Sequence, residues 1–367
     1  MNVVDSNAIV EFAEAALAAD YTRLRKVGQR LARELDVCDV EGARRLRLAL
    51  SKKGVPLQAS GFTEMLPVDA KSRLPLVEEH SWPSAPTFLS QPAREQYENF
   101  LSDAENYSLL AAKGIASRLS LLLSGPPGTG KTLIAGQIAA QMGRKLYVAR
   151  LDSVISSMLG DTAKNIRAIF DFVAGKNAVL FLDELDALAK MRDDRNELGE
   201  LKRVVNTVIQ GIDSLDAEAV VIGATNHPQM LDAAIWRRFS YKINFSLPDF
   251  DLRQALWAYF LGDNEDLSGN ANILAHLSEG LTGADIEQLA LASRRRAVVE
   301  SKEIDWMALA LRTLQENRAN SDMAATNATD ARKLLTQELV NRFRAAQSDV
   351  ARFLKISRQT VSAYLKG

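Results

Sequence analysis

One stretch of this 367-residue chain is built for phosphate chemistry: GPPGTGKT at 125–132. Gly125, Pro126, Pro127, Gly128, Thr129, Gly130, Lys131 and Thr132 satisfy the spacing G-x-x-x-x-G-K-[ST]. Glycines at these positions let consecutive backbone N–H groups converge on phosphate oxygens, the Lys131 ammonium neutralises the β and γ phosphates, and the Thr132 hydroxyl can ligate Mg²⁺. Both flanks agree, since LSLLL (119–123) reads as a buried strand and LIAGQIAAQMG as a helix opening directly after the loop. Farther on, VLFL leads into Asp183 and Glu184, which places two carboxylates at the end of a second apolar strand. Asp183 is expected to hold Mg²⁺ through water, and Glu184 to orient and polarise an attacking water. A positioned base of that kind is worth on the order of 10²- to 10⁴-fold in rate. The chemistry expected is hydrolysis of a bound nucleoside triphosphate, with Mg²⁺ held beside its phosphates.

The elements that must position these groups are legible as pattern. Between residues 91 and 250, helical segments alternate with short apolar runs: LSLLL, KLYVA (145–149), AVLFL (178–182), AVVIGA (219–224) and YKINF (241–245). That alternation predicts an α/β domain, a P-loop parallel sheet with helices on both faces. Residues 251–315 carry only helical patterns. Before the α/β domain, residues 1–54 read as a helical unit with Leu24, Val27, Leu31 and Leu35 on one face, and 55–90, with five prolines, as an extended linker. After it, the polar stretch 316–330 reads as a second linker and 331–367 as a small helical unit.

Composition bounds the function classes. Charged residues are 25% and apolar ones 47%, which is a folded soluble composition, and a net charge of −1 excludes a uniformly basic nucleic-acid coat. No stretch approaches the roughly 18 apolar residues of a membrane span, and the first residues do not form a leader, so a cytoplasmic location is expected. One cysteine, Cys38, and three histidines exclude an internal disulfide and a cysteine-based metal cluster.

GPPGTGKT, LFLDELDAL, VVIGATN, LDAAIWRRF and LTGADIEQL follow one another at intervals that resemble the AAA ATPase family in its narrow sense, over about residues 90–315. The resemblance implies that 251–315 is a helical lid, and that the chain assembles with itself into a ring, a hexamer in most members, with ATP at the subunit interfaces. It also implies Asn226 as a polar sensor of the γ phosphate, Gly283 and Ala284 as lid contacts to nucleotide, and Arg237 and Arg238 as the pair reaching a neighbour's ATP. Guanidinium groups supplied across an interface would stabilise charge on the transferred phosphoryl group and couple turnover to assembly. Family members that thread polypeptide carry an aromatic residue in a pore loop; the corresponding positions here are Met158, Leu159 and Gly160, and methionine grips more weakly than a rigid ring. Where Asp-Gly-Phe is common in the inter-subunit signalling segment, this chain has Asp213, Ser214 and Leu215. A protein is the expected target. Similar compact bacterial AAA proteins are encoded beside effectors, including subtilisin-like serine proteases in plasmid-maintenance and antiphage modules, so control of an effector partner is a further expectation.

The tail, QSDVARFLKISRQTVSAYLKG, has the pattern of a helix-turn-helix, with Ser357, Arg358, Gln359, Thr360 and Ser362 at the start of its second helix as candidate DNA contacts. Lys355 occupies a turn position where glycine is common. DNA and a protein partner both remain open as targets for this shape, and a DNA-bound ATP switch stands beside the remodelling ring. The arginine-rich residues 1–54 leave the same choice open.

Overall fold

The computed structural model describes residues 65–69, 71–156, 161–190, 198–216, 218–262, 268–317 and 328–366, together with a few isolated positions before residue 44. The chain divides into two compact units, Met1–Met65 and Leu66–Gly367. In the first, Val27 and Leu31 are buried, as their helical spacing requires; Leu24 and Cys38 lie outside the described residues.

The second unit is organised by a six-stranded sheet: β1 (Glu78–His80), β2 (Ser120–Ser124), β3 (Lys145–Arg150), β4 (Ala178–Asp183), β5 (Val220–Thr225) and β6 (Tyr241–Asn244). The spatial order is β1-β3-β4-β5-β2-β6, parallel throughout except for the antiparallel edge strand β1. β2 and β5 are buried along their whole lengths, as strands covered on both faces must be. Because successive side chains point to opposite faces, alternate residues enter two different cores. Leu122, Leu180, Leu182 and Val221 pack on one side with helices α5 (Thr162–Val173) and α7 (Leu198–Ser214). Leu121, Leu123, Val179, Phe181 and Ile222 pack on the other with α1 (Gln91–Glu105) and α3 (Lys131–Gln141). Between them run the short helices α2 (Tyr107–Ala112), α4 (Leu151–Ser156) and α6 (Ala187–Lys190), and α8 (Ala233–Trp236) precedes β6.

Four helices follow the sheet: α9 (Phe250–Leu261), α10 (Ser268–Leu277), α11 (Gly283–Glu300) and α12 (Trp306–Asn317). Asp249 caps α9 by accepting from Leu252 N at 2.9 Å, and Thr282 caps α11 in a reciprocal box with Asp285. The C-terminal residues form α13 (Ala328–Gln337), one π turn (Glu338–Arg342), α14 (Gln347–Phe353) and α15 (Arg358–Lys366).

Two stretches differ from the sequence expectation. The expected linker 55–90 contains a folded edge: Val68 bridges Pro75, Leu76 and Val77 are buried, and β1 covers the open side of β3. Its prolines stay out of the strand, with Pro67 and Pro75 before β1 and Pro83 and Pro86 after it, so none removes a ladder N–H. The C-terminal helices, expected as a separate unit, share one apolar core with α9–α12: Leu335, Leu339, Phe343, Val350 and Val361 pack in the same cluster as Leu274, Leu277 and Leu314. Amphipathic helices this short cannot close a core alone, so they use the neighbouring helical layer.

Asp69 ties the edge segment to α5. Its carboxylate accepts from the backbone N–H groups of Lys71 (2.9 Å) and Ser72 (2.6 Å) and from Asn165 Nδ2 (2.5 Å). The Ser72 N–H, then the Asn165 amide, hold this carboxyl down at about 2. A depressed carboxylate contributes stability above its unfolded value of about 3.9 and loses it as pH falls toward the folded value. Asp69→Asn is therefore expected to lower the thermal midpoint at neutral pH, with the gap to wild type narrowing as pH approaches about 3. A gap that stays constant with pH would remove the carboxylate as its source.

Candidate functional site

Phosphate chemistry is positioned by the carboxyl ends of three adjacent parallel strands, β4, β5 and β2, which carry Asp183, Thr225 and the 125–132 loop. Open α/β sheets bind ligands at that edge. There a cleft of about 440 Å³ is lined by Pro127 to Thr132, Asp183, Glu184, Asn226, Gly283 and Ala284, with Phe88, Leu252, Leu256 and Phe260 as an apolar wall. Of the positions read from the sequence as catalytic or nucleotide-binding, all but Gly125, Pro126, Arg237 and Arg238 line this cavity, from both the sheet and the helical layer.

The loop turns at glycines in conformations that side chains avoid. Gly128 has φ +73°, and a Cβ there would lie 2.6 Å from Thr282 Oγ1; its carbonyl accepts from Ala284 N at 3.1 Å. The N-terminus of α11 therefore rests directly on the phosphate loop. Thr129 Oγ1 donates to Pro126 O at 2.8 Å, and Lys131 Nζ donates to the Gly125 and Pro126 carbonyls at 2.8 Å each. Burial pushes the Lys131 ammonium below its ordinary value, against the opposing pull of Asp183 and Asp186. A half-desolvated cation over a row of backbone donors binds a polyanion strongly, because no bulk water screens it.

At the end of β4, burial raises the Asp183 carboxyl, although Glu184 N donates to Asp183 Oδ1 at 2.9 Å. Glu184 sits at φ +56°, in the left-handed region that side chains enter at a cost of about 1–2 kcal/mol. Leu185 N donates to Ala224 O at 2.9 Å and so holds the bend against β5. Strain of this kind, held by surrounding structure, aims a side chain where a relaxed strand end would not. The Glu184 carboxyl is raised by burial first, then by the negative charges of Asp152 and Asp183. Burial also raises Asp152, but the Ser153 N–H and the Arg150 guanidinium, with Arg150 Nη2 at 3.3 Å from Asp152 Oδ2, outweigh it and hold that carboxyl down. Of this pair, Glu184 keeps its proton to the higher pH.

Asn226 reaches the cleft from the end of β5. Asp186, 2% exposed, accepts at one oxygen from Thr225 Oγ1 (2.9 Å) and Asn226 N (3.1 Å). The Asn226 Oδ1 atom is buried without a hydrogen-bond partner, so a bound water or ligand donor satisfies a polar atom that otherwise stays unpaired. The donor set also fits a hard cation. Thr132 and Asp183 line the same cleft, and among the described residues no group of three or more His, Cys, Asp or Glu forms a cage. This arrangement suits Mg²⁺, which is held by one or two protein oxygens together with phosphate and water.

A profile of the ATPase family associated with various cellular activities (AAA) matches residues 121–247, from β2 through the end of β6. This chain carries an AAA ATPase domain. The AAA family ATPase y4kL of Sinorhizobium fredii is 38% identical over 225 residues, covering 60% of this chain and 64% of that protein. Cell division protein C of Sulfolobus acidocaldarius is 35% identical over 191 residues, 49% of this chain and 50% of its own. The ATP-dependent zinc metalloprotease FtsH 2 of Bdellovibrio bacteriovorus is 34% identical over 230 residues, 58% of this chain and 37% of its own. The chain thus spans less than two thirds of each of these relatives. In fold it resembles the AAA domain of FIGL-1 in complex with ADP, with a TM-score of 0.52 at 22% identity over 72% of this chain and 92% of that one.

In the AAA domain, Arg237 and Arg238 are exposed and are not among the residues lining the cleft; Arg238 Nε lies 3.2 Å from Asp213 Oδ2. Ser214 ends α7 by donating to Gly211 O at 2.9 Å, and Leu215 is buried against it. Met158, Leu159 and Gly160 lie outside the described residues. Sequence reasoning missed Asp186, Thr225 and Asp152, although Asp186 stands inside the LFLDELDAL motif. Asp152 carried no signal, because only the folding of β3 beside β4 brings it to Glu184.

Asp152→Asn removes a charge that holds the Glu184 carboxyl up, so Glu184 ionises at lower pH. The acid limb of the ATPase pH profile is expected to move to lower pH. An unmoved limb, or one shifted upward, would show that Asp152 does not act on Glu184.

Proposed function

We propose that this chain hydrolyses ATP to ADP and phosphate as a self-assembled ring, and that turnover remodels a macromolecular partner, most directly a protein. The observation that carries the reading is the convergence of Lys131, Thr132, Asp183, Glu184 and Asn226 in one cleft closed by Gly283 and Ala284. Lys131 and the loop N–H groups bind and orient the phosphates. Thr132 and Asp183 would hold Mg²⁺, which supplies charge neutralisation on the phosphate oxygens. Glu184 draws a proton from the attacking water, and Asn226, set by Asp186, fixes that water's position. Arg237 and Arg238, standing outside their own cleft, are free of this role in cis and suit a neighbouring copy's site, with Asp213 as the resting partner of Arg238. The relative named as an ATP-dependent zinc metalloprotease supports a protein target. Among the described residues no helix is long and apolar enough to cross a membrane, and the reading assigns the activity to the cytoplasm, where ATP is supplied.

Glu184→Gln is expected to bind ATP with near-normal affinity and to hydrolyse it at least about 100-fold more slowly in a single-turnover assay. Near-normal turnover would remove Glu184 as the base. If the arginines act across an interface, mixing a Lys131→Ala chain with an Arg237→Ala/Arg238→Ala chain should restore part of the lost activity. Mixtures as inactive as their components would count against a shared site.

A further inference from the structure

The nucleotide site leaves unused the C-terminal helices, whose charge differs from that of the rest of the chain. The whole chain has a net charge of −1, yet residues 328–366 hold eight Lys and Arg against three Asp and Glu. From the geometry of α13–α15 we infer a binding surface for duplex DNA, carried on the helical layer that covers the nucleotide cleft.

The shape comes first. α14 and α15 are joined by four residues, 354–357, with Val350, Phe353, Leu354 and Val361 buried between them and α13. Ile356 N donates back to Ala351 O at 3.0 Å across Lys355, which lies at φ +53°. This is the left-handed helix stop that glycine usually makes. Ser357 then opens α15, accepting from Thr360 N at 3.0 Å, with its hydroxyl 2.8 Å from the Thr360 hydroxyl. A tight turn between two crossing helices on a third is the frame that seats a second helix in a major groove.

The chemistry of the outer face fits the same ligand. The Ser357 and Thr360 hydroxyls are engaged with each other, so of the five candidate contacts Arg358 and Gln359 remain as exposed donors at the start of α15, with Ser362 half-buried one turn on. Lys355 in the turn and Arg352 on α14 flank them. Arg352 makes only a 3.8 Å surface pair with Asp349 and is 76% exposed, a pair weak enough to yield to phosphate. A second left-handed position, Arg344 at φ +56°, stands just before α14. Both left-handed turns bracketing α14 thus carry exposed basic residues where a glycine would be free of strain. A solvated helical face has no need of cations at strained positions; a phosphate-contacting face gains from them.

The surface is also mounted firmly. Arg342 Nη2 donates to Asn317 Oδ1 at 3.2 Å at the end of α12, and Asn317 Nδ2 donates to Leu277 O at 3.0 Å at the end of α10. The element is therefore held by the same helical layer whose Ala284 touches the phosphate loop. An acidic protein surface is the alternative occupant, and the test separates it.

The test uses the full chain with ADP and a labelled mixed-sequence duplex, measuring anisotropy across a salt series from about 50 mM upward. Wild type is expected to bind with a log-log salt slope of about −0.9 for each phosphate contact. Lys355→Gly removes a cation while relieving backbone strain, so it cannot weaken binding by unfolding the turn. Together with Arg358→Ala it should weaken duplex affinity at least about tenfold and flatten the slope by about 1.8, with an unchanged or higher thermal midpoint. ATP turnover, measured on the same samples, should be unaffected. No duplex binding at low salt, equal binding by the double variant, or equal competition from single strands would each overturn the inference. Retained turnover without DNA binding would leave the ATPase reading standing, whereas loss of turnover in wild type would remove that reading alone.

Discussion

Everything in the second unit depends on three strands ending side by side. β4, β5 and β2 pair in parallel with registers that bring Leu182 level with Gly223 and Ser124 level with Thr225. Their next residues are Asp183 and Glu184, Asn226, and the glycine-rich loop at 125–132. Parallel pairing requires crossover helices, and those helices bury both faces of the sheet, so the strand ends are the only place where the sheet can present polar groups to a ligand without desolvating them unpaired. A slip of one residue in β4 would turn Leu180 and Leu182 into the wrong core and aim Asp183 away from Lys131.

Charge in this cleft is arranged by opposition. Burial alone would neutralise Lys131, Asp183 and Glu184; neighbours oppose it at Lys131 and Asp183, whereas at Glu184 the charges of Asp152 and Asp183 add to it, against Arg150 alone. Asp183 and Asp186 support the Lys131 ammonium, whereas Asp152 works against ionisation of Glu184. Burial and like charge together raise the affinity of the Glu184 carboxylate for a proton, the direction that polarising a water requires. The left-handed backbone at Glu184 belongs to the same design: a bend that costs energy is tolerated because Ala224 and Asp183 both hold it.

The helical layer links three things that the chain order separates. Through Thr282 and Ala284 it touches the phosphate loop, and through Leu252, Leu256 and Phe260 it walls the cleft. Through Leu274, Leu277, Leu314 and Asn317 it holds the C-terminal helices. A close-packed apolar core transmits displacement instead of absorbing it, so whatever sits on α14 and α15 shares the attitude of the layer.

Local spacing was enough to identify the phosphate loop, the Asp183 and Glu184 pair and the alternation of strands and helices, because each rests on interactions within a few residues: glycine backbone freedom, a strand's exit, and apolar periodicity. The edge strand at Glu78–His80 escaped such reading, since three residues amid prolines show no period and gain their pairing only from β3. Asp152 and Asp186 escaped it because their partners lie 32 and 40 residues away along the chain, at Glu184 and Asn226. The merging of the C-terminal helices with the helical layer was equally invisible, for an apolar face reveals that a helix must be covered but not by what. Chemistry that resides in residue type and short spacing was therefore written in the chain, whereas the tuning of Glu184, the setting of Asn226 and the mounting of α13–α15 arise only when strands and helices distant in sequence are packed together.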